Sequence, residues 1–227
     1  MNKNTGKEKP ETKKKKAIKE TLEAIVIALV LALIIRTFAI QAFKIPSSSM
    51  ENTLLIGDHL LVSKLSYGFQ VPTPGMVSIF GIKVPFFTTN LKPLWGEPEF
   101  GDIIVFKFPG DRTKDYIKRV IGVEGDIVEV RDKKVYINGK EIDDPYGIHL
   151  ESTLYPKAMD SRDNFGPFNV PEDTVFVLGD NRDRSYDSRY WGTVKLEEIK
   201  GKAKIIYWSW NTEDHWPRFG RVGNFIY

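Results

Sequence analysis

The 227-residue sequence contains no cysteine, which excludes disulfides, thiolate zinc sites, iron–sulfur clusters and a cysteine nucleophile. Histidine is scarce: His59, His149 and His215 are the three present, and none belongs to an H-x-x-x-H pair able to grip a metal from one helical face. A metalloprotease is not expected, and neither is a metal or another cofactor. Net charge is also small. The formal +3 is concentrated in residues 1–21, where eight lysines face three glutamates for +5, leaving −2 on the other 206 residues. A body so close to neutral gives no support to a nucleic-acid-binding surface spread over it. At 28% charged and 41% hydrophobic residues, collagen-like, wholly disordered and multi-span membrane chains are excluded.

One long apolar run is present. Residues 1–21 form a lysine-rich, proline-containing tail, read as a solvated cytoplasmic arm. From Ala24 to Ile35 every residue is apolar, and that character continues past Arg36, Thr37 and Gln41 to Phe43. Residues 22–43 can cover the roughly 30 Å of a bilayer core as one transmembrane helix if Glu23 and Arg36 snorkel. A cleavable secretory signal shares this pattern, and Ala39 and Ala42 are small enough for cleavage, but the bulky continuation from Arg36 to Phe43 favours an anchor that is kept. The basic tail then stays in the cytoplasm by the positive-inside rule, and everything after Lys44 lies on the outer face of the cell membrane.

Beyond the anchor, short apolar runs alternate with Gly, Pro, Asn and Asp, the texture of a mainly β protein. Runs beginning at Leu60, Asp102, Tyr116, Thr174 and Ala203 read as strands, and residues 126–139 as a hairpin with one solvated face. Only Leu196 to Lys200 looks helical. Residues 44–130 and 173–227 are expected to form a β domain, with 131–172 an inserted β/loop cap where Pro, Gly and Asp are frequent.

Three segments carry chemistry. Pro46-Ser47-Ser48-Ser49-Met50 sets three hydroxyls a few residues after the anchor. Serines beside proline commonly serve turns or caps, but a nucleophile at this point would meet membrane-embedded substrates. A serine needs a base to take its proton. His59 opens a strand, His149 and His215 sit in irregular segments, and no His-plus-Asp arrangement stands out. A lysine kept neutral by burial is the other option, and Lys118 lies in the apolar strand Tyr116-Ile117-Lys118-Arg119-Val120. The pleat sends Lys118 and Arg119 to opposite faces, one entering the interior and the other meeting solvent or a carboxylate. Arginine does not deprotonate in proteins, so Lys118 is the candidate base. The third segment, Gly179 to Gly192, is dense in polar groups after an apolar strand, and its Asp183, Asp187, Arg182 and Arg189 are placed to pair and fix the loop.

Together these segments resemble bacterial type I signal peptidase, the membrane-anchored serine protease that releases signal peptides from exported proteins. The resemblance runs from the anchor to about Tyr207 and implies a two-part antiparallel β-sheet protease carrying one N-terminal transmembrane helix. It implies Ser49 as nucleophile, Lys118 as general base, and an oxyanion hole made by the Ser49 backbone N–H and the Ser47 hydroxyl. Ser185 would hydrogen-bond the lysine amine, while Asp187 and Arg189 pair and hold that loop. Phe43, Ile45, Met50, Leu54, Tyr116 and Ile117 would line shallow pockets for small-x-small, Ala-x-Ala sites. No metal is implied. The partners would be the bilayer and membrane-embedded preproteins delivered by the export machinery.

The chain departs from the family in two respects. Ser48 stands where relatives often have glycine or another small residue, so the choice of Ser49 rests on its adjacency to Met50. One span is read where some members carry two. Two other readings compete: a soluble repressor that cleaves itself with the same Ser-Lys chemistry, which would need a DNA-binding domain and no anchor, and a tethered β-domain that binds exported chains without catalysis.

Overall fold

The structure, a computed structural model, describes residues 10–67, 75–79, 82–86 and 96–227. It divides into two compact units, residues 1–39 and 40–227. In the first, α1 (Pro10–Phe38) begins within the expected arm; proline is tolerated in a first helical turn, and the Lys, Glu, Ala and Leu that follow are good helix formers. Its side chains include apolar ones that stand well exposed, among them Leu22, Ile27 and Leu29. Among the described residues no helix is long and apolar enough to cross a membrane. The unbroken run from Ala24 to Ile35 spans only about 18 Å at the helical rise.

The expected helix over 22–43 holds only to Phe38. Residues Ile40–Lys44 instead form strand β1, the first element of the second unit. Alternation decides this: Gln41 and Phe43 are half-buried while Ile40, Ala42 and Lys44 are exposed, a period of two.

The remaining strands are β2 (Asp58–Ser63), β3 (Gly75–Ile79), β4 (Ile82–Phe86), β5 (Ile103–Phe108), β6 (Asp111–Gly122), β7 (Ile127–Arg131), β8 (Lys134–Ile137), β9 (Lys140–Glu141), β10 (Phe165–Asn169), β11 (Thr174–Leu178), β12 (Val194–Lys195), β13 (Ile199–Asn211) and β14 (Trp216–Pro217). Among the described residues, β1-β2-β13-β5-β6-β11-β12 make the main sheet, with β14 added to β13, and a second sheet runs β10-β7-β8-β9. β3 pairs with β4. Every pairing between these strands is antiparallel among the described residues. The hairpin expected at 126–139 is β7–β8, turned at Asp132 and Lys133, both with positive φ, as a two-residue turn matched to strand twist requires.

The expected helix at Leu196–Lys200 is a 3-10 turn over Leu196–Glu198 followed directly by β13. A four-residue helix not foreseen, α2 (Ser188–Trp191), lies in the polar loop, with the Asp187 side chain accepting from the Arg189 N–H at its start.

Apolar residues alternate in β5 to feed both faces. Ile103 and Val105 join Leu60, Val62, Ala203 and Ile206 in one core cluster; Ile104 and Phe106 join Val120, Val175, Val177 and Val194 in another. A third cluster, with Ile121, Phe176 and Leu178, bonds the second sheet to the first through Val128, Val130 and Val135. Strands buried on both faces account for the nearly continuous apolar runs of β5 and β11.

Candidate active site

Two chain segments converge on β6. β11 ends at Leu178, opposite Arg119, and the chain passes into Gly179 and Asp180 beside the middle of β6. The second segment follows β1, where Ile45 exchanges backbone hydrogen bonds with the start of β2, and a 3-10 turn forms over Ser48–Met50. Met50 and Leu54 hold this turn down, because both are fully buried in the first core cluster. Burial of two such side chains contributes about 1.5–3 kcal/mol each.

From opposite faces of β6, neighbouring residues reach the turn. Lys118 Nζ donates to Ser49 Oγ at 2.7 Å and to the Ile117 carbonyl at 3.0 Å. Arg119 Nη2 donates to Thr53 Oγ1 at 3.2 Å. Arg119 also makes a two-point ion pair with Asp180, at 2.9 and 2.8 Å, and its guanidinium covers the Tyr146 ring at 3.7 Å. Of the two strand neighbours, Arg119 is thus the one that meets a carboxylate.

Lys118 is only 4% exposed. Burial pushes its ammonium from 10.5 down to about 8; the charges of Asp187 and Asp180 oppose this and that of Arg189 adds to it. The amine is therefore within reach of its neutral form near physiological pH, where an ordinary lysine is not.

Asp187 and Arg189 form a buried bidentate pair, Nε to Oδ1 at 2.9 Å and Nη2 to Oδ2 at 2.8 Å. Burial alone would raise the Asp187 carboxyl, but Arg189 and hydrogen bonds hold it below its ordinary value. Arg189 further donates to the carbonyls of Arg162 and Arg182 at 2.6 and 2.7 Å, so one guanidinium ties the polar loop to residues 131–172.

Ser185 departs from expectation. Among the described residues Lys118 makes its hydrogen bonds to Ser49 and Ile117 and not to Ser185. Its hydroxyl lies beside the Asp187 carboxylate and helps hold that acid ionised. Gly179 passes close by, where even a Cβ would overlap Ser185 Oγ and the Ser49 carbonyl oxygen. The loop is packed around a bare backbone.

Ser47 precedes the 3-10 turn and is exposed, with no capping hydrogen bond from its side chain. Of the residues expected to line pockets, Ile45, Met50 and Leu54 are sealed into the core, and Phe43 and Ile117 pack half-buried against them. Tyr116 belongs elsewhere: it packs against the second cluster and stacks on Phe108, ring centroids 4.4 Å apart.

None of the histidines joins Ser49. His59 lies against Tyr207, His149 Nδ1 is 3.4 Å from Asp183 Oδ1, and His215 turns back on the Glu213 carbonyl. Among the described residues no group of three or more His, Asp or Glu is arranged to hold a metal ion. A residue not singled out from sequence, Asn181, is completely buried and bonds directly to the serine turn.

The family model described as "Signal peptidase, peptidase S26" matches residues 18–208. Signal peptidase I of Pseudomonas fluorescens is 34% identical over 231 residues, spanning 86% of this chain and 75% of that protein. Signal peptidase I of Bacillus licheniformis is 34% identical over 206 residues, spanning 90% of this chain and 96% of that protein. A crystal structure of a signal peptidase I from Enterococcus faecalis V583 is 36% identical over 47% of this chain and 96% of that chain, with a TM-score of 0.38.

Proposed function

Because the chain belongs to the signal peptidase family, peptidase S26, we propose that Ser49 is the nucleophile and Lys118 the general base with which it removes signal peptides. Family membership makes the activity that of signal peptidase I, a serine endopeptidase. The observation that carries the residue assignment is the 2.7 Å hydrogen bond between Lys118 Nζ and Ser49 Oγ, enclosed by the core.

In this reading the neutral Lys118 amine takes the Ser49 proton as Oγ attacks the scissile carbonyl. The resulting ammonium gives that proton to the departing amine of the mature protein. Water then loses a proton to Lys118 and attacks the ester, and the ammonium returns the proton to Ser49 as the acid leaves. The oxyanion of each tetrahedral state is held by the Ser49 N–H and the Ser47 hydroxyl. Support for the first donor comes from its position, since the opening N–H groups of a helical turn have no partner within it. With an ammonium titrating at about 8, about a tenth of the enzyme holds the competent amine at pH 7.

Selection of small side chains follows from a filled floor. Ile45, Met50 and Leu54 are already packed, so a substrate group larger than a methyl would overpack them at a cost of about 1–3 kcal/mol. Ala-x-Ala sites meet that limit. The substrate backbone would add to the outer edge of β1, the last strand on its side of the sheet.

Membrane attachment is part of the same proposal. Leu22, Ile27 and Leu29 of α1 are 59–67% exposed, and lipid would cover them at a gain of about 25 cal/mol per Å². The lysines of residues 1–21 would keep that end cytoplasmic and the protease on the extracytoplasmic side, facing preproteins delivered by the export machinery.

Processing of a preprotein with an Ala-x-Ala site, in detergent, tests the assignment. Ser49→Ala and Lys118→Met should each abolish cleavage; wild-type turnover in either would remove that residue from the mechanism.

A further inference from the structure

We infer that Asn181 is a positioning residue for the oxyanion hole: it sets the direction in which the Ser49 backbone N–H points. The inference rests on Ser49 being the nucleophile.

Asn181 is fully buried, and its donors all go to the serine turn. Its backbone N–H donates to the Ser49 carbonyl at 3.1 Å. Its Nδ2 donates to the Ser48 carbonyl at 3.3 Å and to Glu51 Oε2 at 3.2 Å. Both Nδ2 partners are acceptors, so the amide nitrogen and not the oxygen must face them. Oδ1, on the other side, is buried without a partner among the described residues.

The consequence follows from peptide planarity. The Ser48 carbonyl and the Ser49 N–H belong to one trans peptide unit and point in opposite directions. Holding the Ser48 oxygen from the Asn181 side therefore turns the Ser49 N–H away from Asn181. The second bond acts one unit later: fixing the Ser49 carbonyl fixes the plane that carries the Met50 N–H. Asn181 thus bears on two successive peptide planes at the nucleophile, sharing the Ser48 oxygen with the Glu51 N–H of the turn at 3.0 Å.

Asn181 is itself anchored independently of the turn. Ile148 forms a parallel bridge with it, Ile148 N donating to the Asp180 carbonyl at 2.8 Å and Arg182 N to the Ile148 carbonyl at 3.0 Å. The clamp is therefore mounted on the scaffold, as a donor that must not swing during reaction requires. Asn181 is not in hydrogen-bond contact with Lys118, whose partners are Ser49 and Ile117, so its effect on the oxyanion is separable from the base.

The test compares Asn181→Ala and Asn181→Asp with wild type on a preprotein carrying an Ala-x-Ala site, measuring kcat, KM, the pH profile and thermal unfolding. Aspartate has nearly the same volume but cannot donate to Ser48 O when ionised, so it carries the test if truncation to alanine unfolds the protein. The expected result is a fall in kcat of about 10- to 100-fold in both variants, KM within about threefold, and an acid limb at the wild-type pH in Asn181→Ala, while the new carboxylate of Asn181→Asp raises it as Asp187 and Asp180 do. A Ser47→Ala/Asn181→Asp double variant should lose less than the product of the single losses, because both changes act on one oxyanion. Wild-type kcat in a folded Asn181→Asp enzyme, a loss confined to KM, or a displaced acid limb in Asn181→Ala would overturn the inference. Ser49→Ala and Lys118→Met run alongside: if either remains active, the nucleophile and base assignment fails, whereas inactive controls beside a fully active Asn181→Asp reject the positioning role alone.

Discussion

Lys118 Nζ and Ser49 Oγ share a 2.7 Å hydrogen bond although 69 positions separate them in the chain. The contact depends on elements that contribute nothing else to it. Met50 and Leu54 press the serine turn into the core, β11 stops at Leu178 and leaves room beside β6, and Gly179 lets the next loop pass without a side chain. Burial that lowers the lysine ammonium to about 8 is the same burial that makes it a usable base.

Activity should therefore follow the neutral fraction of Lys118. The acid limb of kcat/KM is expected near pH 8, the value to which burial lowers the ammonium, with activity falling tenfold per pH unit well below it. Asp187 raises that value and Arg189 lowers it, so Asp187→Asn should move the limb to lower pH and Arg189→Met to higher pH. Rate profiles from pH 5 to 10 check both directions. Asp187→Asn also strands the buried Arg189 charge, an expected loss of about 3–5 kcal/mol in stability, so its profile is read at low temperature.

Lys118→Met should be dead but more stable. A buried lysine lowered from 10.5 to about 8 penalises the folded state, because the unfolded chain binds its proton more tightly. The penalty is absent above about pH 10.5, grows as pH falls, and is complete below about pH 8, where it amounts to about 3 kcal/mol. Denaturant unfolding of both proteins across this range should show the variant's advantage appearing in that window; an advantage that does not change with pH would point to packing alone.

Gly179→Ala should cost at least about a hundredfold in kcat. Its methyl meets the Ser49 carbonyl and Ser185 Oγ, and the backbone member of that pair cannot rotate aside. The nucleophile must shift. Measuring kcat beside a thermal melt separates this from unfolding.

Ser47→Ala should lower kcat by about 10²–10³ without abolishing it, since the Ser49 N–H would still hold the oxyanion. Ser47 is exposed and makes no capping bond, so stability should stay within about 0.5 kcal/mol. A calorimetric scan with steady-state kinetics checks both.

Much of this site was legible in the sequence because its chemistry is carried by short, dense segments. A lone lysine in an apolar strand and a hydroxyl cluster after Pro46 stand out without coordinates. The boundary of α1 did not: Ile40, Ala42 and Phe43 suit an apolar helix as well as a strand, and the alternating burial appears only once they pair with β2. α2, at four residues, is too short to show helical periodicity. Ile45, Met50 and Leu54 were read as pocket walls because apolar residues near a nucleophile look alike until burial separates floor from lining. Asn181 gives no signal in a loop full of polar residues; its meaning lies in which peptide planes it touches.

The central claim is that Ser49 faces an amine that can be discharged near neutral pH. Nitrogen NMR of ¹⁵N-lysine-labelled protein, with Lys118 assigned by its absence in Lys118→Met, measures this directly. One lysine Nζ should titrate with a midpoint near 8, the value set by burial. A Lys118 signal that stays an ammonium until about pH 10.5, as an ordinary lysine does, would contradict the account.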